Sequence, residues 1–126
     1  MDHFKNINDS FGHQFGDYVL VEITRRLRAL TPPRSLIIRY GGDEFVLVTH
    51  LHERKELLSF ATRLIDALSR PYNVNELHFN IGASIGIALY PEHGESLDML
   101  LRASDIALYE SKKIKNSAHI FASEMQ

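Results

Sequence analysis

The sequence predicts an α+β fold in which a mainly antiparallel sheet is flanked by helices. The first observation is a pair of apolar, β-branched runs joined by a short glycine-containing segment, which is the signal of a β-hairpin. The second is a set of amphipathic stripes with helical spacing before and after that hairpin. The resulting order of helix, hairpin, helix, long strand, helix and strand is typical of an α+β domain.

Composition limits the classes of function. The 126 residues suffice for one domain with its own core. Cysteine is absent, so the chain offers neither a disulfide nor a thiolate ligand or nucleophile. A net charge of −2 removes the broad electrostatic case for binding nucleic acid or a membrane surface. No apolar run is long enough to cross a bilayer, and we expect a cytoplasmic protein.

Two helices are expected before the hairpin. Apolar residues spaced by three and four between Met1 and Gly16 predict a short helix that closes at Gly12. Asp17 can cap a second helix, which Pro32 and Pro33 end. The apolar stripe of that second helix consists of Leu20, Ile23, Leu27 and Leu30.

The predicted hairpin places charge at its tip. Glycine reaches positive φ without steric cost, and its lack of a side chain lets a phosphate approach the backbone N–H groups. Carboxylates beside it offer the hard oxygens that Mg²⁺ prefers. These residues alone leave two interpretations open, an ordinary acidic turn and a phosphate and metal site. The strands are Ser35–Ile38 and Phe45–Val48, and the turn contains Gly41, Gly42, Asp43 and Glu44.

Two further elements follow the hairpin. A helical stripe from Leu57 to Leu68 ends at Pro71 and indicates a structural helix. A strand is predicted between Leu77 and Leu89, with large side chains on one face and small ones on the other. The small face lets a helix or a ligand approach the backbone closely, and helix packing is the favoured interpretation. The small residues are Gly82, Ser84, Gly86 and Ala88.

The last part of the chain predicts a third helix, from about Ser96, and a short strand, Ala118–Phe121. Lys112, Lys113 and Lys115 lie at or beyond the end of that helix, where cations suit the helix dipole. A phosphate partner is the alternative explanation for these lysines. Elsewhere the chain lacks the histidine spacing of a zinc site, the lysine signature of a P-loop and the serine elbow of a hydrolase.

Several separate motifs also occur in one order along the chain, and together they resemble the GGDEF domain. That family contains the diguanylate cyclases, which join two GTP molecules into cyclic di-GMP. The resemblance covers residues 1–121 and implies a palm-like fold, and the tail 122–126 resembles the junction to an EAL phosphodiesterase domain in composite members. The motifs are Asp2–Asp9, Gly12-His13, Gly16-Asp17, Arg39–Phe45, Ser84–Ala88, Tyr90-Pro91 and Ala103–Tyr109 leading to Lys112.

The resemblance implies roles for residues that match the family's nucleotide site. Asn8 and Asp17 match the residues that bind guanine, whose donors and acceptors suit an amide and a carboxylate. Lys5 and Lys112 match positions that contact the triphosphate. The last match is to the positions that admit the nucleotide close to the backbone, Gly41 and Gly42.

The resemblance also implies a metal-dependent reaction. Asp43 matches the carboxylate that ligates Mg²⁺ or Mn²⁺, and Glu44 matches an acidic position in the same turn, so these two residues and Lys5 are the candidate catalytic residues. A 3′-hydroxyl attacks an α-phosphorus and pyrophosphate leaves, with positioning and metal charge supplying most of the catalysis. Each domain holds one GTP, so a homodimer is needed.

Three departures from the family pattern carry expectations. The second carboxylate of the metal pocket would fall before Met1, with the family's first helix and strand, so we expect weaker Mg²⁺ binding and exposed strand edges. Pro32-Pro33-Arg34-Ser35 replaces an Arg-x-x-Asp pair that grips the product, so we expect no product inhibition. Lys115-Asn116-Ser117 replaces Gly-Arg-Asn, and Lys115 lacks the planar fork of the missing arginine.

Two functions therefore compete. In the first, the chain is a shortened copy of a working cyclase domain whose parent protein makes cyclic di-GMP. In the second, the domain is degenerate, binds GTP weakly or not at all, and serves as a regulatory or dimerising module for an attached cyclic di-GMP phosphodiesterase. The intact Gly41–Phe45 turn favours the first for the ancestry, whereas the missing aspartate and strand favour the second for this polypeptide. We predict that the chain does not make cyclic di-GMP at an appreciable rate.

Overall fold

The computed structural model of the protein describes residues 13–74 and 76–125. The α+β class that the sequence predicts is confirmed. The short helix predicted between Met1 and Gly12 lies outside the described residues. The helices are α1 (His13–Leu30), α2 (Arg54–Leu68) and α3 (Leu97–Ile114). The strands are β1 (Leu36–Gly41), β2 (Glu44–Val48), β3 (Tyr72–Val74), β4 (Leu77–Phe79), β5 (Ile85–Ile87) and β6 (Ala118–Ile120), followed by a 3₁₀ turn at Ser123–Met125.

Helix α1 begins earlier than the sequence predicts. Because it already includes His13, Asp17 lies in its second turn, and the expectation that Asp17 caps the helix is wrong. The helix continues through Gly16, which is buried, so packing overrides a helix propensity about 1 kcal/mol below that of alanine. At the other end, the N–H and the hydroxyl of Thr31 both donate to the Leu27 carbonyl, at 2.9 and 2.5 Å.

The core lies between α1 and α2. Both helices bury the stripe that their apolar spacing predicts, so both helices are confirmed as amphipathic elements. Tyr72 and Ile81 complete the core at 1% and 0% exposure. The buried residues of the two helices are Val19, Leu20, Ile23 and Leu27 from α1, and Leu57, Phe60, Ala61, Leu64 and Leu68 from α2.

One arginine of α1 binds the end of α2. Arg26 donates hydrogen bonds to the carbonyls of Ala67, Arg70 and Pro71, each at 2.9 Å. Its guanidinium carbon lies 3.9 Å from the centroid of the Tyr72 ring. The last carbonyls of a helix have no partner inside that helix, so Arg26 supplies donors that the backbone of α2 lacks.

Strands β1 and β2 form the predicted hairpin. They pair in antiparallel register from Leu36 opposite Val48 to Gly41 opposite Glu44, with an irregularity in β1 just before Gly41. The turn between them includes Gly42, whose φ is 25°. A side chain is disfavoured at that φ, so glycine is the residue that suits this turn.

Within the described residues, the six strands form three separate pairs. The pairs β1–β2 and β3–β4 are antiparallel, whereas β5 and β6 are parallel. The prediction of one strand between Leu77 and Leu89 is wrong, because residues 80–84 separate β4 from β5 and β4 turns back along β3. In that separating stretch, the Ala83 N–H donates to the Asn116 side chain at 2.9 Å rather than to a strand.

Helix α3 packs on β5 through a glycine. A Cβ at Gly86 would overlap the Ser104 carbonyl oxygen and the Leu108 backbone nitrogen, and would lie 2.8 Å from the Leu108 Cα. Helix packing, the favoured interpretation of the small-residue face, is therefore confirmed at this position. Buried Ser111 donates to the Ile85 carbonyl at 2.7 Å and holds the same pair of elements together. The predicted start of α3 is also correct, since the Ser96 side chain accepts from the Met99 N–H at 3.2 Å.

A groove of about 460 Å³ runs between β2 and β5. In the part of the chain that the structure describes, β2 pairs only with β1 and β5 only with β6. Gly86 faces α3 while Ile85 packs with the α1–α2 core, so helices lie on both faces of β5. The groove is lined by both strands, by α2 and by α3. Within residues 13–74 and 76–125, the edges of β2 and β5 that face this groove pair with no other strand.

Candidate functional site

The tip of the β1–β2 hairpin is open to a ligand. A Cβ at Gly41 or Gly42 would meet no atom of the described residues within 4 Å. Both glycines are exposed, as is Glu44, while Asp43 is partly buried. The tip therefore presents backbone groups and carboxylates at an accessible edge of the sheet. An accessible tip is compatible with both interpretations of the turn, an ordinary acidic turn and a phosphate and metal site.

An arginine beside the glycines shapes the turn. The Nε and Nη2 atoms of Arg39 both donate to the Gly42 carbonyl oxygen, at 3.0 and 2.7 Å. The guanidinium thus spans the turn on one side and holds one carbonyl with two donors. Sequence reasoning missed this contact, and the only available signal was an arginine three residues before the second glycine of the turn.

Three predicted site residues line one groove. Asp43 and Glu44 reach it from the hairpin, and Lys112 reaches it from the last turn of α3. Tyr40 and Asp105 line the same groove. A lysine suits phosphate oxygens and a carboxylate suits a cation, so these three side chains offer groups that suit a phosphate-bearing ligand with a divalent cation. Most of the other residues that line the groove are apolar.

The guanine contacts predicted from the family pattern are not assembled in the described residues. Asp17 is exposed on α1 and is not among the residues that line the groove. Asn8 and Lys5 lie outside the described residues. The roles of these three residues therefore stay predictions.

The donor set at the tip fits a metal held jointly with phosphate. Among the described residues, no group of three His, Cys, Asp or Glu side chains is placed to hold a metal ion. Mg²⁺ sites in nucleotide-binding proteins use one or two carboxylates and take further ligands from the phosphates and water. Asp43, as a partly buried carboxylate beside exposed glycine backbone, matches that donor set.

The end of α3 departs from the family pattern in sequence, and its backbone conformation is unusual for the residues present. Lys115 and Asn116 both have positive φ, 65° and 49°. The Asn116 carboxamide oxygen accepts from the Ala83 N–H at 2.9 Å and from the Ser69 hydroxyl at 3.4 Å. Asn116 thus ties loops together at the position where the family pattern has a phosphate-binding arginine. The sequence carried no signal for that contact, because Ala83 is 33 residues away along the chain.

Comparison with known proteins identifies the family of the chain. The sequence model described as "Diguanylate cyclase, GGDEF domain" matches residues 1–118. The chain is 38% identical over 121 residues to the bifunctional diguanylate cyclase/cyclic di-GMP phosphodiesterase MucR of Pseudomonas aeruginosa, covering 96% of this chain and 18% of MucR. It is 33% identical over 126 residues to the cyclic di-GMP phosphodiesterase NbdA of the same bacterium, covering 99% of this chain and 16% of NbdA.

A solved structure gives the same result. The isolated GGDEF domain of TpbB from Pseudomonas aeruginosa matches with a TM-score of 0.91 at 36% identity, over 98% of this chain and 74% of that chain. The fold and the hairpin tip define a palm-like α+β domain. The chain belongs to the GGDEF family of diguanylate cyclase domains.

The match covers only part of each curated relative. The chain spans less than a fifth of the length of MucR and of NbdA. Within the described ranges, none of the helices combines the length and the apolar character needed to cross a membrane.

Proposed function

We propose that this domain binds GTP as one half of a diguanylate cyclase site. The observation that carries the proposal is that Asp43, Glu44 and Lys112 line one groove beside two glycines with open space around them. A nucleoside triphosphate with its cation offers the complementary groups, since phosphate oxygens suit the lysine and backbone N–H groups while the cation suits a carboxylate. Family membership supplies the reaction class, in which two GTP give cyclic di-GMP and two pyrophosphates.

In this proposal, residues near the beginning of the sequence bind the guanine base. Asn8 offers an amide donor and acceptor, and Asp17 accepts from the N1–H and the exocyclic amine of guanine. Adenine presents a different set at these positions and would leave the Asp17 carboxylate without donors. Lys5 joins Lys112 in holding the triphosphate. This assignment is supported by the matching motif positions, and the exposure of Asp17 leaves its side chain accessible.

Asp43 would hold Mg²⁺ or Mn²⁺ together with the phosphates. The metal, when bound, supplies positive charge that stabilises the phosphoryl transition state. The chain's own residues then have three tasks. Asp43 fixes the position of the cation, the lysines orient the triphosphate, and Glu44 lies beside the reacting groups as an acid whose role is open to test.

Catalysis needs a second copy of the domain. Each domain holds one GTP, so the attacking hydroxyl and the α-phosphorus meet only across a two-fold axis. In each domain Asn116 stands where the family pattern has a phosphate-binding arginine, and its carboxamide oxygen accepts from the Ala83 N–H at 2.9 Å, so the triphosphate loses the planar donors of that arginine. We therefore propose a slow or absent turnover by this chain, in a cytoplasmic protein whose domain spans residues 1–121 and whose tail 122–126 leads towards an EAL domain.

A regulatory role is the second candidate. In this alternative the domain binds GTP or dimerises, and so controls an attached cyclic di-GMP phosphodiesterase. Two observations favour it. Asn116 serves a structural contact in place of the family's phosphate-binding arginine, and the relative NbdA, of which this chain covers 16%, is named as a cyclic di-GMP phosphodiesterase.

Product formation tests the enzymatic proposal. The chain is incubated with GTP and either Mg²⁺ or Mn²⁺, and cyclic di-GMP is measured by chromatography. We expect no product above background. Product that disappears in Asp43→Ala, but persists in Asp66→Ala, would show a working cyclase and contradict the proposed impairment. Asp66 is a matched control because it is an exposed aspartate on α2 that does not line the groove.

A further inference from the structure

The contact between Arg39 and the turn has a consequence for Asp43. The Nε and Nη2 donors converge on the single carbonyl oxygen of Gly42, at 3.0 and 2.7 Å. Two donors of one rigid guanidinium fix a carbonyl in direction as well as in distance. Gly42 itself has a φ of 25° and open space where a side chain would be, so its own packing restrains it little.

The Gly42 carbonyl that Arg39 holds is part of the peptide bond between Gly42 and Asp43. A trans peptide is planar, so its C=O and N–H point in opposite directions. When Arg39 holds the Gly42 oxygen on one side of the turn, the Asp43 N–H is directed to the other side. The Cα of Asp43, and with it the starting point of the carboxylate, belongs to the same plane.

We propose that Arg39 is a positioning residue that locks the Gly42–Asp43 peptide, so that the Asp43 N–H faces a phosphate oxygen while the Asp43 carboxylate faces the divalent cation bound to that phosphate. The inference rests on the proposed function, because it assigns Arg39 a task at that same site. Glycine loses more backbone freedom on ordering than any other residue. An arginine that orders the turn beforehand removes this cost from the binding step.

The proposed role of Arg39 depends on the two fixed N–H donors of its guanidinium. Lysine carries the same charge but has a single ammonium, which cannot hold one carbonyl with two fixed donors. Arg39→Lys therefore removes the lock and keeps the charge near Asp43. Arg63→Lys is the matched control, because Arg63 is exposed on α2 and does not line the groove.

The first measurement is the backbone order of the turn without nucleotide. NMR relaxation of the backbone amides of the full chain gives order parameters for Gly42 and Asp43. We expect these order parameters to be about 0.85 in the unsubstituted protein and below about 0.6 in Arg39→Lys. The Arg63→Lys protein should match the unsubstituted one. Equal order at Gly42 and Asp43 in all three proteins would overturn the inference, whatever the nucleotide affinity is.

The second measurement is GTP affinity with Mg²⁺ and with a chelator. We expect Arg39→Lys to weaken GTP binding about tenfold in the presence of Mg²⁺ and to leave GTP binding unchanged in the presence of a chelator. The reason is that Arg39 orders Asp43, which binds the cation. If the metal-dependent gain survives in Arg39→Lys, the positioning role is wrong and the proposed GTP site stands. If the folded, unsubstituted protein binds GTP under neither condition, the proposed function fails and this role fails with it.

Discussion

At the scale of single residues, Lys115 and Gly86 lie at positions that both favour glycine, and only Gly86 is one. Lys115 ends α3 with φ 65° and ψ 151°, a region of backbone space that is almost restricted to glycine. The family pattern has glycine at this position. Gly86, by contrast, is a glycine that α3 approaches too closely for any side chain. The backbone at Lys115 is therefore strained, whereas glycine at position 86 avoids a clash with α3.

Replacing Lys115 by glycine should stabilise the protein. Removing the Cβ relieves the strained conformation, and we expect Lys115→Gly to raise the free energy of unfolding by about 1 kcal/mol, measured by urea denaturation. Lys55→Gly is the control, because Lys55 is an exposed lysine inside α2, where glycine should lower stability by about 1 kcal/mol. Equal losses in the two variants would show that Lys115 is not strained.

Adding a methyl group at Gly86 should have the opposite effect. Its Cβ would overlap the backbone of Ser104 and Leu108, and backbone atoms of a helix cannot turn aside as a flexible side chain can. We expect Gly86→Ala to cost about 3 kcal/mol of unfolding free energy. Gly41→Ala meets no described atom and should change stability by less than about 0.5 kcal/mol. A small effect at both positions would contradict the close packing of α3 on β5.

At the scale of elements, charged contacts on α1 contribute to the way it holds α2. A hydrogen bond from Arg25, reinforced by Arg26, lowers the pKa of Glu22 from 4.5 to about 2. Glu22 in turn helps to orient Arg26, whose Nε donates to it at 3.0 Å. Arg26 is the residue that supplies donors to the end of α2. The ionised Glu22 thus supports a contact between helices.

Acid should remove this support in a defined window. Because the folded-state pKa of Glu22 lies below its ordinary value, its stabilisation is complete above pH about 4.5 and is lost as the pH falls towards 2. We expect Glu22→Gln to be less stable than the unsubstituted protein at pH 7 and to converge with it near pH 2. The unfolding free energies of the two proteins across this range test the expectation. Ser59→Ala, a change at an exposed uncharged residue of α2, should show no such convergence.

Helices α2 and α3 could be predicted because their apolar residues recur at helical spacing. The hairpin could be predicted because its glycines separate two β-branched runs. Strands β3 and β4 have three residues each, which is too short for an alternating pattern to be read. The parallel pairing of β5 with β6 depends on how α3 folds back, and no local pattern encodes it.

The candidate site likewise contains residues that could be predicted from the sequence and contacts that could not. Asp43, Glu44 and Lys112 could be assigned from residue type and motif position, and the structure brings all three to one groove. The bond from Arg39 to the Gly42 carbonyl could not be assigned, because it depends on the path of the turn. The use of Asn116 to hold Ala83 was equally hidden, since it joins segments that are far apart along the chain.

At the scale of the whole molecule, the groove between β2 and β5 is the main feature. Among the described residues, the edges of β2 and β5 that face the groove pair with no other strand, and such edges offer backbone groups to another chain. The outer face of the β1–β2 hairpin adds exposed apolar side chains, with Leu36 at 59%, Ile38 at 44% and Val48 at 41% exposure. Both features favour association through the sheet.

We expect the chain to self-associate in the absence of nucleotide. Light scattering over a range of protein concentrations should show an average mass that rises with concentration. Val48→Lys places a charge on the edge strand and should reduce this association, whereas Ser59→Lys, on the exposed side of α2, should not. A monodisperse monomer at all concentrations would contradict the prediction.

The central claim is that the groove and the hairpin tip belong to a guanine nucleotide site. Calorimetric titration of the folded chain with GTP and with ATP, each with Mg²⁺, tests it most directly. The account predicts binding of GTP and at least about tenfold weaker binding of ATP, because a carboxylate and an amide that suit guanine leave adenine without matching donors. Equal affinity for the two nucleotides, or no binding of GTP by folded protein, would contradict it.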